Sequence, residues 1–127
     1  MTKSTVLVVD DDDACRTFLA EYLGVLGYLV ETASDGLQAL ERLEQSDGRP
    51  CAIVLDLVMP VMSGWEFRRE QARDARLATI PVVLVSGEVE DLGREAAAAR
   101  IKDFVKKPFD LNALAAAVNR ACLEFQA

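Results

Sequence analysis

Four consecutive aspartates, Asp10-Asp11-Asp12-Asp13, follow directly on the apolar run Val6-Leu7-Val8-Val9, and Asp56 closes a second such run, Cys51-Ala52-Ile53-Val54-Leu55. Adjacent carboxylates repel, so a counter-charge is expected where they converge. An oxygen-only set with few ligands suits a hard divalent cation, Mg²⁺ first and Mn²⁺ second. Helix capping accounts for one or two of the aspartates, because Asp accepts orphan backbone N–H groups and favours the positive end of a helix. It does not account for Asp56, which precedes Leu57-Val58-Met59-Pro60, while the next helix starts near Ser63. A third run, Val82-Val83-Leu84-Val85, ends in Ser86-Gly87, a turn dipeptide whose interest is positional. Lys107 precedes Pro108, which restricts its backbone, and a cis bond there would set the direction of its side chain. An ammonium aimed into an acidic, metal-bearing pocket is a point charge suited to a phosphoryl group.

Composition narrows the chemistry further. With no histidine among 127 residues, Ser-His-Asp and Cys-His catalysis, histidine metal sites and a phosphohistidine carrier role are all excluded. A net charge of −7 opposes binding to nucleic acid or to an anionic membrane, because both need a basic surface. Cys15, Cys51 and Cys122 are odd in number and never form a Cys-x-x-Cys pair. Neither a zinc site nor a disulfide framework is therefore expected, and the thiols should be reduced and mostly buried. No apolar stretch approaches a membrane span or a signal-peptide core, so a soluble cytoplasmic protein is expected. The length fits one domain, residues 1–127, with 51% hydrophobic residues for its core.

The elements that must position these groups alternate. The three β-branched runs are continuous rather than alternating, as in strands covered on both faces, and Tyr28–Thr32 and Phe104–Lys106 supply two weaker ones. Cys15, Phe18, Leu19, Tyr22 and Leu26 lie on one face of a helix, as do Leu111, Leu114, Ala115, Val118, Cys122 and Phe125. Asp35 and Asp110 are placed to cap helices. The third helix is the poorest, because Arg68-Arg69-Glu70-Gln71 is polar where an inward face should be apolar. The resulting (βα)5 order implies an α/β fold with a parallel, doubly wound sheet, whose ligands bind beyond the carboxyl ends of the strands. Asp10, Asp56, Ser86 and Lys107 all fall at such ends. The last helical pattern runs to Phe125, so no output domain is expected to follow within this chain.

Val-Val-Asp10-Asp11, Asp56-x-x-Met59-Pro60, Ser86-Gly87 and Lys107-Pro108-Phe109, in this order and over nearly the whole chain, resemble the receiver domain of two-component response regulators, in particular single-domain chemotaxis-type receivers. The resemblance implies a flavodoxin-like five-stranded sheet of order 2-1-3-4-5. It implies Asp56 as the acceptor of a phosphoryl group from a partner's phosphohistidine, on a sensor histidine kinase or a histidine phosphotransfer protein. It further implies a Mg²⁺ site of Asp11, Asp56 and the Val58 carbonyl, with Asp10 assisting through water. Ser86 would bond a phosphoryl oxygen, Lys107 would pair with the phosphate, and Ser86 and Phe104 would form a switch read by a protein partner at the face of the fourth helix, strand five and the last helix. Asp12 and Asp13 have no firm role and are expected to cap or be solvated. Three features depart from the usual pattern: Phe104 replaces a frequent tyrosine, Arg100-Ile101-Lys102 replaces a common Gly-Ala, and Val58 cannot orient a hydrolytic water, which leaves Glu88 to repel or position one.

Two rival readings exist. Val-Val-Asp10-Asp11-Asp12 also satisfies the apolar-run-then-Asp-x-Asp pattern of Mg²⁺-dependent phosphohydrolases of the haloacid dehalogenase type, with Asp10 as nucleophile. Ala14 departs from that motif, no paired acidic motif follows Lys107, Asp56 would have no role, and there is no cap domain to exclude water. A receiver-like module that no longer takes phosphate conflicts with the intact set Asp11, Asp56, Ser86 and Lys107. The expected protein is thus a phosphoacceptor switch or relay intermediate and not a turnover enzyme.

Overall fold

The computed structural model describes residues 4–46, 49–59, 61–87, 101, 103–108 and 110–126. Five strands, β1 (Thr5–Val9), β2 (Leu29–Ala33), β3 (Ala52–Asp56), β4 (Val82–Ser86) and β5 (Asp103–Lys106), form one parallel sheet in the order β2-β1-β3-β4-β5. The helices are α1 (Asp13–Val25), α2 (Gly36–Gln45), α3 (Gly64–Ala72), the short α4 (Ala75–Ala78) and α5 (Leu111–Gln126). This is the flavodoxin-like α/β architecture expected from the motifs. The helix expected between Gly87 and β5 lies outside the described residues, as do Pro60, Glu88, Arg100, Lys102 and Phe109.

β1, β3 and β4 are buried along their whole length, which explains their unbroken apolar runs. Alternate residues serve two cores: Leu7, Val9, Ile53, Leu55 and Leu84 pack with α2 and α3, while Val6, Val8, Val54, Val83 and Val85 pack with α1 and α5. The edge strands β2 and β5 are only partly buried, hence their weaker sequence signal.

Local chemistry starts the helices. Asp12 accepts from the backbone N–H of Ala14 and Cys15, Asp35 from Gln38 and Asp110 from Ala113. Ser63 and Glu66 form a reciprocal capping box at α3.

Three expectations are corrected. In α1 the fully buried residues are Leu19 and Leu23; Phe18 and Leu26 are each 45% exposed, and Phe18 stacks on Tyr22 at 6.5 Å. The buried stripe is narrower than the apolar spacing suggested, because apolar residues on the flank of a helix need not reach the sheet.

The polar run of α3 does build a buried face. Phe67 fills the core, the Arg68 guanidinium donates to the Ala78 carbonyl, and the Gln71 Nε2 donates to the carbonyls of Leu77 (2.7 Å) and Ile80 (3.1 Å). These side chains close off the α4 turn, whose carbonyls have no helical continuation. Gln71→Leu takes its side-chain donor from the buried Ile80 carbonyl and leaves the Leu77 carbonyl with the Ile80 N–H at 3.2 Å, and we expect a loss of about 1–3 kcal/mol, read as a lowered urea midpoint at unchanged m. A loss below about 0.5 kcal/mol would mean that water replaces the amide.

The cysteines are not all reduced: Cys51 and Cys122 form a disulfide across 71 residues of sequence, with their Cα atoms 4.6 Å apart, while Cys15 is free. Spacing along the chain cannot reveal such a pair, because only the packing of α5 on the sheet brings the two positions together.

Candidate phosphoacceptor and metal site

Sheet register gathers the charged ends. Val9 pairs with Leu55, Asp56 with Val85, and Ser86 with Lys106, so Asp10, Asp56, Ser86 and Lys107 meet at one edge of the sheet. The backbone pins them there: Asp10 N–H donates to the Ala33 carbonyl, Leu57 N–H to Val85, and Lys107 N–H to Ser86. Gly64, at the start of α3, lies so close that a Cβ would come within 2.9 Å of the Asp56 carbonyl oxygen. Any larger residue would push α3 off the loop that joins it to β3. In the same loop Val61 holds a left-handed φ of 69°, a conformation β-branched residues rarely adopt, and the Lys107–Pro108 bond is cis.

Asp10 is 1% exposed and Asp56 7%, whereas Asp11 is open to solvent. One carboxylate oxygen from each of Asp10, Asp11 and Asp56 lies within 4.8 Å of the others. Lys107 Nζ stands between the two buried carboxylates, 3.2 Å from Asp10 Oδ2 and 3.8 Å from Asp56 Oδ1. Asp10 Oδ1 accepts from the Asp12 N–H at 2.9 Å, so both Asp10 oxygens are engaged. Ser86 is buried at the tip of β4. Val58 is exposed, and its N–H bonds the Asp56 carboxylate. Phe104 is 37% exposed and faces outward from β5. The acidic, lysine and serine groups singled out in the sequence are therefore brought together, and Phe104 stands apart from them on the sheet edge. Asp12 caps α1, and exposed Asp13 pairs with Arg16.

The electrostatics follow from that crowding. Burial pushes the Asp56 carboxyl up from its ordinary 3.8 to about 6; the Asp10 charge adds to this, while Lys107 and the Val58 N–H oppose it. Burial alone would lower the Lys107 pKa, but the charges of Asp10 and Asp56 outweigh it and hold the ammonium more strongly protonated than usual.

A carboxyl whose pKa rises on folding binds more protons in the native state, so it weakens the fold as pH climbs through the interval from about 4 to about 6. Because Lys107 and solvent at the rim screen the site, the penalty should be about 1–2 kcal/mol. In chelator, urea melts should show the stability of wild type falling relative to Asp56→Asn across that interval, with Asp56→Asn the more stable above it. Parallel profiles would contradict the burial argument.

Two neighbours were not anticipated. Arg16 Nη1 donates to the Asp10 carbonyl at 2.9 Å while its other nitrogen holds Asp13, so the guanidinium ties the acidic loop to α1. The only sequence hint is a basic residue three positions after an acidic one on a helix. The Cys15 thiol, pushed up to about 12 by burial and by its hydrogen bond to Asp10, stays protonated and inert.

Known proteins resemble this chain in sequence and in fold. The sequence profile of the response regulator receiver domain matches residues 6–119. Response regulator MprA of Mycobacterium ulcerans is 39% identical over 113 residues, covering 87% of this chain and 47% of that protein. Sensor kinase CckA of Brucella abortus is 38% identical over 116 residues, covering 91% of this chain and 12% of that protein. The chain thus spans less than half the length of these curated relatives. Among solved structures, the chemotaxis protein CheY4 of Vibrio cholerae superposes with a TM-score of 0.87 at 30% identity, covering 94% of this chain and 99% of that one. The profile spans all five strands and the site at their ends, and on that ground the chain belongs to the response regulator receiver domain family.

Proposed function

We propose that Asp56 accepts a phosphoryl group from the phosphohistidine of a sensor histidine kinase or a histidine phosphotransfer protein, and that the acyl phosphate acts as a binding switch or a relay intermediate. The observation that carries this reading is the buried Asp56 carboxylate at the mouth of β3, facing Lys107 Nζ at 3.8 Å and grouped with Asp10 and Asp11. In the reaction one Asp56 oxygen attacks phosphorus, the P–N bond breaks, and the leaving imidazole takes its proton from solvent. Above about pH 6 the carboxylate is ionised and ready to attack. Lys107 and the Ser86 hydroxyl each take one equatorial phosphoryl oxygen.

The all-oxygen donor set fits a hard cation, so Asp11, Asp56 and the Val58 carbonyl would hold Mg²⁺ or Mn²⁺, with Asp10 assisting through water. When bound, the cation neutralises the charge that transfer brings into the site. The added phosphoryl charge draws Ser86, Phe104 turns inward, and the surface around β5 and α5 presents the state to a protein target. We read residues 1–127 as a single receiver unit that works in the cytoplasm, contacts neither nucleic acid nor membrane, and turns over only by slow autodephosphorylation. Among the described residues no helix is long and apolar enough to cross a membrane.

Asp10 is a poor nucleophile for the phosphohydrolase alternative, since both its oxygens are engaged and it is sealed from solvent. Incubation with acetyl phosphate and Mg²⁺, followed by intact mass, should add one phosphoryl group, and chelation should prevent it. No adduct under these conditions would refute the acceptor role.

A further inference from the structure

We propose that Cys51 and Cys122 are a reversible thiol–disulfide modification site, exchanging with low-molecular-weight thiols and disulfides of the glutathione type, whose state sets how firmly α5 is held to the sheet. Cys51 precedes β3, and its N–H donates to the Thr5 carbonyl at 2.8 Å, within the buried middle of the sheet. Cys122 sits near the carboxyl end of α5. The disulfide therefore ties the end of the last helix to the root of the strand whose tip is Asp56.

The other attachments of α5 are non-covalent. Of its buried residues Leu114, Ala117, Val118, Ala121 and Cys122, two are alanines, which offer little apolar area per position. Its polar ties include the Tyr22 hydroxyl to the Leu111 carbonyl at 3.1 Å, which holds only the opening turn, and the partly exposed Arg120–Asp103 pair at 2.8 Å. Releasing the sulfur bridge removes the covalent tie of the second half of the helix and leaves it to non-covalent packing, with Val118 and Phe125 its larger apolar contacts.

Geometry also sets the order of attack. Helix ends fray, so Cys122 Sγ becomes reachable by local opening, while Cys51 is released only if a central strand opens. A thiolate attacks Cys122 Sγ, the Cys51–Cys122 bond breaks, and Cys51 leaves as thiolate and takes a proton. A second thiolate then attacks the external sulfur of the mixed disulfide and releases Cys122. In sum, two thiols and the protein disulfide give one small disulfide and the protein dithiol, with two electrons and two protons moved; an oxidised small disulfide drives the reverse. Where small thiols are abundant, disulfides of this kind serve mainly as redox sensors.

The test equilibrates the native protein in reduced:oxidised glutathione mixtures, quenches in acid, alkylates unfolded thiols and reads intact mass, with amide hydrogen exchange on parallel samples. Oxidised samples should carry one label, at Cys15, and reduced samples three. Amides of 114–126 should exchange about tenfold or more faster in the reduced state, while those of β1 and β3 hold. Cys122→Ser should show the fast exchange at every ratio, and Cys51→Ser should repeat it if the first variant folds poorly. Three labels at every ratio, one label at every ratio, a stable glutathione adduct as the end state, or redox-independent exchange of α5 would each overturn the proposal. None of these readouts depends on phosphorylation, so failure here is distinguishable from failure of the Asp56 assignment.

Discussion

Asp56→Asn is expected to abolish the phosphoryl adduct that wild type forms with acetyl phosphate and Mg²⁺. The amide oxygen carries no charge to attack phosphorus, so the initial rate should fall by at least about a thousandfold, below detection by intact mass. The variant should remain folded, because the side chain keeps its shape and loses a carboxylate that burial and Asp10 already disfavour. Folding and loss of function are thereby separated in one protein. An equal adduct on Asp56→Asn would sink the acceptor assignment. Multiple-turnover hydrolysis that survives in Asp56→Asn but is lost in Asp10→Asn would instead establish the phosphohydrolase reading.

Lys107→Ala should slow adduct formation by about a hundredfold to a thousandfold at fixed donor concentration, the usual result of removing one pre-positioned donor to a developing oxyanion. The same change leaves Asp10 and Asp56 facing each other without the ammonium 3.2 Å and 3.8 Å away. The Asp56 pKa should then climb further, and the metal-free protein should lose stability above about pH 6, the opposite sign to Asp56→Asn. Lys107→Arg restores charge but not the compact geometry, so a partial recovery of rate is expected. An unchanged rate in Lys107→Ala with a lowered melting temperature would make Lys107 a structural counter-ion only.

Much of the site could be read in one dimension. Unbroken β-branched runs marked the strands buried on both faces, and all five predicted strands lie within one residue of those found. Asp35, Asp110 and Ser63 stood where helix starts needed side-chain acceptors or a cap, and they act there. The grouping of Asp10, Asp56 and Lys107 was legible because a parallel sheet delivers every strand's carboxyl end to one edge, so a residue's place after a run already tells where it goes.

Other features depended on three dimensions. α3 is polar where a core helix should be apolar, because Arg68 and Gln71 bond carbonyls of α4 and the following loop. Phe18 has helical spacing yet stays 45% exposed, outside the buried stripe. Arg16, in the first turn of α1, reaches back past the helix start to the Asp10 carbonyl.

The sequence by itself determined the order of strands and helices along the chain, the caps, and the presence of five aspartates, one serine and one lysine at strand ends, because these rest on local periodicity and hydrogen-bonding capacity. Only the tertiary structure decided which carboxylates are buried, how far the Asp56 pKa is displaced, and that Cys51 meets Cys122. Burial, desolvation and sulfur contact arise between segments far apart in the chain, and no pattern within a segment encodes them.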